Sequence, residues 1–82
     1  MYMHLNSYGL RVRGFKLVAA YQCFKKGEKR YNIDCYSNGE QYLVRDFESG
    51  RKCWDELFDN KDEANNYVVS LWKNYTFHKR IF

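Results

Sequence analysis

The side chains best equipped for chemistry are Cys23, Cys35, Cys53, His4 and His78, which supply thiolates and imidazoles for metal binding or nucleophilic attack. Structural zinc sites usually draw on closely spaced pairs of such ligands. Here all five lie far apart, so no metal and no other cofactor is expected. A Cys–His nucleophile has no local signature to support it. Ser7, Ser37, Ser49 and Ser70 lack the G-x-S-x-G elbow of a serine hydrolase, and no glycine-rich phosphate loop is present. Two carboxylate pairs, Asp55 with Glu56 and Asp62 with Glu63, could in principle share acid–base work. The second pair is explained by a helix start, and a substrate pocket would consume much of a small core. The chain is expected to be no enzyme.

Shape is written more clearly than chemistry. Eighty-two residues make one domain, in which a single core leaves only a few kcal/mol of net stability. Aromatic residues make up 20 % of the chain, enough for ring packing to compensate for its size. Proline is absent, and nothing in the composition divides the chain into linkers or repeats. Residues 1–9 are read as a flexible N-terminus. The alternation of 11–24 predicts a long first strand with a bulge or bend at Gly14. Residues 28–36 and 40–47 predict two more strands. The segment 52–58 fits a strand or a short helix, since both periods gather apolar side chains.

After that segment, Asn60 as cap, Glu63 three residues on and Asp62 in the first turn predict a helix over 61–75. Ala64, Tyr67, Val68, Leu71, Trp72 and Tyr75 recur along one of its faces. The tail, Thr76 to Phe82, reads as a short edge strand or a frayed end. The fold class is therefore α+β: a three- to four-stranded antiparallel sheet covered on one face by an amphipathic C-terminal helix.

Two turns set the expected register. Asn38-Gly39 suits the centre of a two-residue type I′ hairpin, which pairs Tyr36 with Gln41, Cys35 with Tyr42 and Ile33 with Val44. A three-residue loop at Lys25-Lys26-Gly27 pairs Tyr21 with Tyr31, Ala19 with Ile33 and Leu17 with Cys35. The inner face then carries Phe15, Leu17, Ala19, Tyr21, Tyr31, Ile33, Cys35, Tyr42 and Val44. The outer face mixes charge with rings and aliphatics. On it Phe24, Tyr36, Leu43 and Phe47, rimmed by Arg30, Asp34 and Arg45, form the candidate partner-binding patch, because interfaces concentrate aromatics and Arg. Exchanging Arg45 or Tyr36 for alanine is expected to weaken binding and leave stability nearly intact.

A net charge of +4 from 14 basic and 10 acidic side chains leans toward an anionic partner, but the basic residues come in dispersed pairs. Three cysteines without C-x-x-C spacing argue for a reducing compartment. No stretch has the length of a signal peptide or a membrane span. The expectation is a cytoplasmic monomer or homodimer with no membrane partner.

The run Asn38-Gly39-Glu40-Gln41-Tyr42-Leu43-Val44-Arg45-Asp46-Phe47-Glu48-Ser49 resembles a hairpin of the phage-encoded anti-CRISPR proteins of the type I-F inhibitor class. That resemblance implies a small antiparallel sheet with helices that blocks a crRNA-guided surveillance complex in the host bacterial cytoplasm by binding its backbone subunits. Family contacts come from sheet tyrosines and an acidic residue before the N-G turn. Here Asp34 holds the acidic position, and Tyr21, Tyr31 and Tyr36 are loose analogues. A second stretch, Phe58-x-x-Lys61-x-Glu63-Ala64-x-x-Tyr67 after a sheet, resembles AP2-type and integrase arm-type domains, which lay their sheet against DNA. The chain is accordingly expected to be a non-enzymatic inhibitor of a bacterial defence protein or ribonucleoprotein complex. The alternative is a sheet-based DNA- or RNA-binding module.

Overall fold

Five antiparallel strands form one sheet in the spatial order β4-β3-β2-β1-β5. The computed structural model describes residues 7–25, 30–48 and 53–82. Helix α1 (Ser7–Val12) leads into β1 (Lys16–Phe24), β2 (Arg30–Ser37), β3 (Tyr42–Glu48) and β4 (Cys53–Phe58), a meander of neighbours. Helix α2 (Lys61–Trp72) then returns across the inner face, and β5 (Phe77–Arg80) joins the free edge of β1. Twelve residues at about 1.5 Å each make a helix of about 18 Å. Four strand spacings of about 4.8 Å make about 19 Å, so α2 is long enough to carry the chain from β4 to β5. The segment that fitted strand or helix is therefore a strand, and the tail adds an edge strand.

α2 forms where its caps and stripe require. Asn60 Oδ1 accepts the Glu63 N–H at 2.9 Å, and Ala64 and Val68 are buried against the sheet. The helix ends at Trp72, earlier than the expected 75, and Tyr75 packs from the following turn onto Tyr31 (ring centroids 5.2 Å). Ile33, Val44 and Cys23, all fully buried, come from the three central strands and meet Ala64 and Val68 from α2. Rings close the sides: Phe58 lies on Tyr67 at 5.2 Å, and Trp72 meets Tyr21 edge-on at 5.3 Å.

Both hairpins differ from the expected register by two residues. β2 pairs with β3 through Ser37–Tyr42, Tyr36–Leu43, Cys35–Val44 and Asp34–Arg45. β1 pairs with β2 through Cys23–Tyr31, Tyr21–Ile33 and Ala19–Cys35. The cause is visible at the second turn. Asn38 is not a central residue; its N–H donates to the Gln41 carbonyl, and its Oδ1 accepts the N–H groups of Glu40 and Gln41 (2.9 and 2.7 Å). Gly39, at φ +94°, therefore takes the first central position, where a type II′ turn favours glycine. An even shift leaves every side chain on its original face. The loop expected at Lys25-Lys26-Gly27 and the turn at Glu48-Ser49-Gly50 lie largely outside the described residues.

The N-terminal third is corrected more deeply. Residues 7–12 are helix, and the strand begins at Lys16, not at 11. Gly14 (φ +83°) ends the helix instead of bending a strand. The Phe15 N–H reaches the Leu10 carbonyl (2.9 Å) and the Gly14 N–H reaches that of Arg11 (3.0 Å), the two bonds of a Schellman motif. Its accompanying apolar contact, Phe15 with Leu10, is also present. The bulge falls between Leu17 and Ala19. It puts Leu17 on the outer side, opposite Tyr36, and Phe15 packs there with Leu10 and Leu43, so neither residue lies on the inner face expected for it. A Cβ at Gly14 would meet nothing closer than 3.9 Å, so Gly14→Ala is resisted by the backbone alone. We expect it to lose about 1 kcal/mol in urea unfolding; an unchanged midpoint would dismiss this account of the helix end.

Candidate partner-binding face

The outer face divides into two ends. At one, α1 lays Leu10 and the following Phe15 on Leu43 and Tyr36. Leu43 is buried, and Tyr36 is half-buried beside the Arg45 guanidinium (5.8 Å to the ring centroid). Neither residue is freely presented, because a short helix absent from the sequence-based expectation covers them.

Across the middle runs a charged row, Asp34–Arg45–Asp55, contributed by three adjacent strands. Arg45 is buried and grips Asp55 with both prongs of its guanidinium: Nε to Oδ1 at 2.8 Å and Nη2 to Oδ2 at 3.0 Å. The expected role of Arg45 as an exposed rim cation is thus corrected; it is a core ion pair. Asp34 is half-buried beside it. Burial pushes its carboxyl above the ordinary range, and the neighbouring Arg45 charge draws it partly back.

At the other end the face reaches solvent. Arg30, Phe24 and Phe77 lie side by side across β2, β1 and β5, and the next row holds Phe47, Asn32, Gln22 and Lys79. Phe24 and Phe77 pack ring to ring (5.8 Å), with Phe77 55 % exposed. Arg30 and Lys79 are exposed, and Phe24 and Phe47 are half-buried. Of the seven residues proposed from sequence, Phe24, Arg30 and Phe47 therefore belong to this end. Asp34 lies in the middle row, and Tyr36, Leu43 and Arg45 belong to the covered part. Phe77 and Lys79 were missed because they sit on the tail strand; their alternation with His78 and Arg80 was the available signal. Tyr21 and Tyr31, the tyrosines suggested by the anti-CRISPR resemblance, pack under α2 on the opposite side.

The inner face carries its own polar contact. Tyr75 donates to Asp46 Oδ1 (3.2 Å), and Lys25 Nζ lies 5.1 Å from the Tyr31 ring and 5.7 Å from that of Tyr75. Burial raises the Asp46 carboxyl, while the Tyr75 hydrogen bond and Lys25 lower it; the net direction is upward. A carboxyl raised in the folded state holds its proton more firmly there than when unfolded. Its stabilising effect is complete below the unfolded pKa of about 3.9 and fades as pH rises through the folded value. Asp46→Asn retains an acceptor for Tyr75 and removes this titration. Its melting temperature relative to wild type is expected to climb from pH 4 upward, whereas a flat difference would refute the direction.

Burial also raises the thiols of Cys23 and Cys35 to about 11, which keeps both protonated and weakly nucleophilic at neutral pH. Among the described residues no three His, Cys, Asp or Glu side chains come together as a metal site. No described helix is long and apolar enough to cross a membrane. No protein-family model matches the chain, and no curated protein or solved structure matches it significantly.

Proposed function

We propose that this protein is a non-enzymatic inhibitor of the anti-defence kind that its β2–β3 hairpin resembles. It occupies a surface of a bacterial protein or ribonucleoprotein complex with the solvent-facing end of its outer sheet face. The observation that carries the proposal is the row Arg30–Phe24–Phe77 beside Lys79, an aromatic pair flanked by cations at the end not covered by α1. Rigid rings with two side-chain torsions lose little entropy on binding, and flanking cations select an acidic or phosphate-bearing partner. The raised thiol pKa values of Cys23 and Cys35, which keep both protonated and weakly nucleophilic, support a binding role over thiol catalysis.

Addition of the protein to a purified type I-F crRNA-guided surveillance complex is expected to abolish target-DNA binding in a gel shift. Phe77→Ala and Arg30→Ala should relieve that inhibition with their melting temperatures close to wild type. Undiminished target binding at saturating protein would reject this partner. Direct nucleic-acid binding is the second reading, favoured by the same ring pair, on which bases can stack beside Arg30 and Lys79. With Arg30 and Lys79 as the phosphate contacts, affinity for single strands should fall with salt at a log–log slope of about −1.4.

A further inference from the structure

On the inner face, α2 leaves one corner of the sheet uncovered. It starts at the end of β4 and lies over β3 and β4, reaching β1 and β5 mainly through Trp72, which meets Tyr21 and stacks on His78 at 4.1 Å. Between the helix and the start of β1 is a cleft of about 590 Å³. Its origin is local: the β1 bulge turns Val18 and Ala19 both toward it, and small residues at Ala19, Ser37 and Ala64 leave the gap unfilled. The volume falls within the roughly 300–1,000 Å³ of small-molecule sites.

The chemistry of its walls is one-sided. Valines and rings supply apolar surface, and Lys61 and Arg80 supply two cations. Among the described residues that line it there is no carboxylate. Trp72, one of its walls, buries an indole N–H with no acceptor among the described residues. That N–H is closed off from solvent, so it lies behind the wall and the Trp72 ring, not its nitrogen, faces the cleft.

We infer that this cleft binds a small organic carboxylate with an apolar body. The body lies against Val18, Val68 and Val69, and the carboxylate is held by Lys61 or Arg80. Dodecanoate below its micellar concentration is the probe, with dodecyltrimethylammonium as the charge-reversed control of equal chain length. Calorimetry should show saturable binding of dodecanoate and at least about tenfold weaker binding of the cation, as expected where a charged hydrogen bond is lost. In a Trp54→Phe background, which leaves Trp72 as the sole indole, dodecanoate should shift the emission. Lys61→Gln and Arg80→Gln should each weaken binding, and Val69→Phe, at a half-exposed position on the cleft wall, should block it. Circular dichroism establishes that each variant is folded; if Arg80→Gln is not, Lys61→Gln and Val69→Phe decide. Absent heat and emission change, equal binding of the cation, or full binding by Val69→Phe would each overturn the inference.

Discussion

Ile33→Ala is expected to remove about 3 kcal/mol of stability, within the roughly 2–5 kcal/mol range for truncating a buried Ile or Leu. Ile33 is fully buried at the centre of β2, between Tyr21 on β1 and Asp46 on β3, with α2 above it. The rest of its core cluster is largely aromatic rings and positions of α2, so the cavity has little means of closing. A domain of this size has about 5 kcal/mol in total. With a urea slope of about 1 kcal/mol/M, the midpoint should therefore fall by about 3 M. Leu57→Ala is the control, since Leu57 is 53 % exposed on edge strand β4; it should change stability by less than about 1 kcal/mol. Equal losses in the two variants would mean that the core does not lie where α2 meets β2.

Arg45→Ala is expected to cost about 3–5 kcal/mol, the typical loss when one partner of a buried ion pair is removed and the other charge stays behind. This reverses the expectation that Arg45 could be exchanged with stability intact. Its side chain is 8 % exposed and that of Asp55 3 %, so the stranded carboxylate cannot reach water without rearrangement. Asp34 flanks Arg45 on the other side, so Arg45→Ala leaves two acids without their shared cation. Asp55→Ala leaves Arg45 with Asp34, and should cost less. Replacing the pair together, as Arg45→Met with Asp55→Leu, should recover most of the loss, because apolar groups of similar volume substitute well for buried ion pairs. Chemical denaturation of the three variants measures the coupling directly. Additive losses would show that Arg45 and Asp55 act independently.

The alternation of strands and the stripe of α2 were legible because each is a local pattern with its own period. Tyr21, Cys23, Tyr31, Ile33, Cys35, Tyr42 and Val44 sit on the inner side as their spacing demands. That assignment survived a two-residue change of register in both hairpins, since an even shift preserves the face. The turn itself was less legible. Whether Asn38 or Gly39 opens it depends on the Asn38 side chain capturing two N–H groups, and Asn-Gly is compatible with either arrangement. The candidate site was read in part. Phe24, Arg30 and Phe47 were placed on the correct face, but Phe77 and Lys79 depend on β5 returning to pair with β1, a contact between residues more than 50 positions apart.

Local periodicity in this protein thus determined which side chains face inward on the paired strands, where α2 begins, and that a sheet and a helix cover one another. Only the tertiary structure decided that Gly14 ends a helix, that this helix covers Leu43 and part of Tyr36, and that Arg45 faces Asp55. The physical reason is that a side chain's period is set by its own backbone, whereas its exposure is set by whatever distant segment packs over it. Gly14 is equally suited to a bend in a strand and to the left-handed residue after a helix, and the choice is made by Leu10 and Phe15 finding an apolar surface on β2 and β3.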